Sequence, residues 1–116
     1  MDFPERDWKH RRAVHVAALA RYSERVLVEA AVIIESPDVP AHERYLALVR
    51  VLRDRNRQMS SAFDDMRRST AMLRLASLVG LQLLTEAEFR QFSVEVRNSA
   101  VALSELAARP QLQITE

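Results

Sequence analysis

An all-α fold, a single antiparallel bundle of four to five helices, is what this sequence predicts, and three observations predict it. Ala, Leu, Arg and Glu, all strong helix formers, dominate a 116-residue chain that has one glycine and four prolines. Apolar residues recur three, four and seven apart over most of its length. The prolines fall at the margins of these periodic stretches, where they do not break a helix. A chain of this size forms one core, expected over residues 1–110, with 111–116 a mobile tail beyond Pro110.

The first helix starts after Pro4 and runs to about Glu35, because Trp8, His15, Leu19, Tyr22, Val26, Ala30 and Ile33 form one stripe. A second row, Val16, Ala20, Leu27, Ala31 and Ile34, widens it and predicts more than one packing neighbour. Pro37 and Pro40 then force a short break, which sets the next helix antiparallel and alongside. That helix, Pro40 to Ser61, is expected to bury Tyr45, Val49, Leu52, Met59 and the following Phe63. Asn56 falls inside the same stripe.

The stretch 64–84 reads as a central, buried helix. Met66, Leu73, Ala76, Gly80 and Leu84 line one face, Met72, Leu75, Val79 and Leu83 another, and Leu78 and Leu81 bridge them. Asp64 and Asp65 suit its start, where carboxylates accept from free amides. Thr85-Glu86-Ala87-Glu88 is a capping box for the next helix, with Leu84 and Phe89 as its hydrophobic staple. Phe92-Ser93 interrupts that helix, and a longer one follows from Val94 to about Ala108.

Several chemistries find no residues to carry them. There is no cysteine for a thiolate, a disulfide or a Cys-based zinc site, and one glycine cannot build a phosphate loop. His10 and His15 are five apart and point to different sides of a helix, His42 stands near a helix start, and no Glu has a His three residues later. The expectation is a protein without catalytic residues, metal or cofactor. The longest uncharged run, Leu75 to Thr85, spans eleven residues, short of the roughly 20 that cross a bilayer. With a charged N-terminus, this points away from the membrane and to the cytoplasm.

What remains is function through contacts, as a homodimer or an adaptor for another protein. Leu73, Ala76 and Gly80 form a smooth patch that a second helix could approach closely, within the chain or from a second copy. The first helix, with Trp8 and Tyr22 on its stripe, is the other candidate interface. The competing class is nucleic-acid binding. Residues 44–74 carry a charge of +5, between flanks of −2 each, and Arg50, Arg53 and Arg57 share a helix face, with Arg67, Arg68 and Arg74 following. A small-molecule pocket near Trp8, Tyr22 and Tyr45 is the third reading.

Overall fold

The structure, a computed structural model, describes residues 3–108; the tail expected at 111–116 lies outside them. It is all-α and consists of α1 (Glu5–Ile34), α2 (Ala41–Phe63), α3 (Ala71–Gly80), α4 (Glu86–Arg90) and α5 (Val94–Ala108), with a single 3-10 turn at Arg68–Thr70. The first two helices form a long antiparallel hairpin. The last three make a second layer, in which α3 packs on α5 and crosses the proximal part of the hairpin. The radius of gyration, 16.9 Å, exceeds the roughly 13 Å of a compact domain of this length, because the distal half of the hairpin extends past the second layer.

Two core clusters hold the layers together. Phe3, Val14, Ala71, Leu75, Phe92, Val96 and Ala100 form one, with Trp8 packed against it. Ala18, Tyr22, Ala62, Phe63, Leu78 and Leu83 form the other, with Met59 at its edge. Buried alanines at 18, 62, 71 and 100 let the helix backbones approach closely.

The arginines explain much of how the helices end. The final carbonyls of a helix have no partner within it and carry the negative end of the dipole. Here arginines reach in from neighbouring segments to meet them. Arg44 donates to Ile34 O at 2.6 Å at the end of α1. Arg11 donates to Ala62 O and Arg74 to Ser61 O at the end of α2. Arg21 and Arg25 donate to the carbonyls of Leu81, Gln82 and Leu83 just after α3.

The central helix is shorter than the 64–84 expected, and both of its ends differ for identifiable reasons. At the start, Asp65 adopts a left-handed backbone (φ 55°) that cannot be helical. Thr70 Oγ1 donates to the carbonyls of Asp65 and Arg67, and Arg67 bonds the Asp65 carboxylate, so 64–67 form a loop. Asp64 and Asp65 therefore do not cap the helix. At the other end, Gln82 N donates to Val79 O and Leu83 N to Leu78 O, the paired bonds of a Schellman stop, with Gln82 at φ 55° where glycine is usual. Leu78 and Leu83 are both fully buried and supply its apolar contact. Gln82→Gly removes the steric penalty of a left-handed side-chain residue, and urea unfolding is expected to show a gain of roughly 0.5–1 kcal/mol.

The junction before α4 is as the sequence predicts. Glu88 N donates to Thr85 Oγ1 at 3.1 Å, and Thr85 N donates to the Glu88 carboxylate at 2.9 Å. Arg21 reaches from α1 to bind both Glu88 oxygens, at 2.7 and 3.0 Å. That guanidinium, aided by the Thr85 amide, holds the Glu88 carboxyl down at about 2, against an ordinary 4.5. The folded state thus binds the Glu88 proton more weakly than the unfolded chain, so this stabilisation is complete above about pH 4.5 and is lost as pH falls towards 2. Urea midpoints measured between pH 5 and pH 2 are expected to fall less steeply in Glu88→Gln than in the natural chain.

Candidate functional site

Buried charge is where a fold concentrates perturbed, chemically useful groups. Among the described residues only Asp7 and Arg11 are buried and charged. Asp7 accepts from Ser93 N at 2.7 Å and Ser93 Oγ at 2.9 Å, which ties α1 to the start of α5. Arg11 donates to Ala62 O at 3.3 Å, its Nε has no partner among the described residues, and burial together with Arg74 lowers it to about 10. Both side chains are sealed from solvent, and their partners are backbone groups, the Ser93 hydroxyl and the His15 ring. They join helices; no substrate reaches them.

Two of the three histidines are occupied as well. His10 Nε2 lies 2.6 Å from Glu88 O and donates to it, while the ring packs on Phe92 with centroids 4.4 Å apart. His15 Nδ1 faces Arg11 at 3.3 Å, and burial followed by the Arg11 charge pushes its pKa down. His42 stacks on Tyr45. No group of three metal-ligating side chains occurs among the described residues.

Most of the anion-binding candidates already have partners. Arg57 pairs with Asp54, Arg67 with Asp65, and Arg68 with Glu5 and the Phe3 carbonyl. Arg50 and Arg53 are exposed and bear no ion pair among the described residues. Of these five arginines three are paired, which leaves Arg50 and Arg53 as the unpaired ones among the described residues.

The interface candidates separate in space. Tyr22 is buried and donates to Arg55 O and Gln58 Oε1, and Trp8 packs on the first core cluster. Neither is a surface patch, and with Tyr45 distal on α2 the three aromatics enclose no common pocket. Ala76 is buried. A Cβ at Gly80 would stand 3.6 Å from Ser104 Cβ, so the close crossing foreseen at the Gly80 patch is made within the chain, by α5. Leu73 is 57% exposed and lies with Gly80, Leu103 and Leu106 along a groove of about 760 Å³ between α3 and α5. The hydroxyls of Ser61, Ser77 and Ser104 in that groove each donate to a backbone carbonyl of their own helix. Its walls are apolar, with few polar groups left over.

The largest exposed apolar surface is on the hairpin, and here the expected burial fails. Tyr45 is 61% exposed and Leu52 37%, although both stand in the stripe expected to be covered. The reason is positional. The carbonyls after α3 meet Arg21 and Arg25 of α1, and Arg74 meets the end of α2, so the second layer occupies one side of the hairpin and only its proximal end. Helical spacing puts Val16, Leu19, Ser23, Leu27, Ala30 and Ile34 of α1 on the opposite side. It puts Tyr45, Val49, Leu52, Asn56 and Met59 of α2 beside them. On this free face Val16, Leu27 and Ile34 are all more than half exposed.

Comparison with known proteins adds no relative. No family model, no curated protein and no solved structure matches the chain. No helix among the described residues is long and apolar enough to cross a membrane.

Proposed function

We propose that this chain is a contact module without catalytic chemistry, and that its working surface is the free face of the α1–α2 hairpin. One observation carries the reading. Val16, Leu27, Ile34 and Tyr45 stand more than half exposed along two helices, uncovered by any other described residue, and exposed apolar patches of more than a few hundred Å² are rare on monomers except at interfaces. The buried charges and His10 support it from the other side, since each is engaged in holding helices together.

The test is the double variant Leu27→Glu, Tyr45→Glu, followed by circular dichroism, thermal melting and binding of a dye specific for apolar surface. At high dilution, where no second molecule covers the face, helicity and melting are expected to hold, because neither side chain contributes to the two core clusters, while dye binding falls. Loss of the folded state would place both residues in the core and overturn the reading.

A further inference from the structure

We infer that the occupant of the free hairpin face is the same face of a second copy, with α1 of each protomer laid against α2 of the other. The inference rests on the contact-module reading and adds the partner and its orientation.

The stripe on α2 steps by 4, 3, 4 and 3 from Tyr45 to Met59, the period of a helix that packs along its length on another helix. The α1 stripe from Val16 to Ile34 uses steps of three and four only. Two such stripes side by side make half of a four-helix bundle. Five apolar side chains of the face are substantially exposed, Val16 at 75%, Leu27 at 62%, Tyr45 at 61%, Ile34 at 51% and Leu52 at 37%.

Charge selects both the partner and its orientation. Glu24 flanks the stripe on α1 and Glu35 follows the helix's last residue, whereas Arg53, with Arg50 beyond it, flanks the stripe on α2. None of these four has an ion pair among the described residues, although Glu29 and Arg55, which point into the hairpin, pair with each other. One hairpin thus has an acidic edge and a basic edge. A two-fold axis running along the hairpin brings the acidic edge of one copy beside the basic edge of the other, which is the reciprocity of a closed dimer. Laying α1 on α1 would instead align like charges, which costs binding energy.

The two polar residues on the face fit the same arrangement. The bonds from Tyr22 to Arg55 and Gln58 put residue 22 of α1 level with residues 55–58 of α2. Ser23 and Asn56 therefore sit at one height. With α1 against α2, Asn56 of each copy faces Ser23 of the other, and a hydrogen-bonded polar pair within an apolar seam fixes register.

Light scattering on the full chain at tens of micromolar tests this. A mass about twice the 13.3 kDa of one chain is expected. Glu24→Arg alone, or Arg53→Glu alone, is expected to weaken association roughly ten-fold or more, and the two together to restore it, because the edges exchange sign and remain complementary. A single-chain mass for the natural protein, or a double variant no tighter than the single ones, overturns the proposal. If the protein is monomeric while Leu27→Glu, Tyr45→Glu lowers dye binding without unfolding, the second copy is excluded and the contact face stands. If that variant unfolds, the contact face itself falls.

Discussion

Asp7→Ala is expected to lower the free energy of unfolding by about 3 kcal/mol. The side chain is 1% exposed, and its two oxygens take the backbone amide and the hydroxyl of Ser93, the residue just before α5. Alanine leaves both donors without their acceptor inside the protein and removes a negative charge from the positive end of the α5 dipole. It also leaves Arg11, one turn along α1, as the sole buried charge among the described residues. Asp7→Asn keeps one acceptor and is expected to cost less than alanine. Urea unfolding at neutral pH with an unchanged slope is the measurement, and a loss below about 1 kcal/mol would mean that water replaces the carboxylate.

Phe92→Ala is expected to cost about 4 kcal/mol. Phe92 is 1% exposed between α4 and α5, packs in the first core cluster and lies against the His10 ring. Its removal leaves a cavity that helices fixed by Asp7 on one side and by the Arg21–Glu88 pair on the other cannot close. Against a typical total of 5–15 kcal/mol, a change of this size shows as a large fall in the urea midpoint. Phe92→Leu keeps most of the volume and is expected to lose less than half as much.

Those contacts mark the boundary of what the residues alone reveal. The capping box at Thr85, the break at Pro37 and Pro40 and the interruption at Ser93 were legible because their signals are local: side chain to amide three residues on, or a ring that fixes φ. The short central helix was not. Leu81, Leu83 and Leu84 continue an apolar period after the backbone has left the helix, and Leu83 is buried from a turn as completely as from a helical position. Asp65 and Gln82 take left-handed backbones without the glycine that usually announces them. The arginines that cap α1, α2 and α3 act across as many as 62 residues of chain, as Arg21 does on Leu83 O, and such pairing has no local signature. Nor can a period tell what covers it: Tyr45 and Leu52 lie on a true stripe of α2, and among the described residues no other element reaches that far along the hairpin.

Hydrogen exchange of the full chain at low and high micromolar concentration tests the role of the exposed hairpin face most directly. Among the described residues the distal hairpin, from about residue 23 of α1 to residue 52 of α2, has only its own two helices for support, so its amides open locally at low free-energy cost. If the free face is the contact surface, these amides are expected to exchange more slowly as concentration rises, whereas those of α3 and α5 keep their rates. Concentration-dependent protection along the α3–α5 groove with none in the distal hairpin, or equal rates everywhere at both concentrations, would contradict the account.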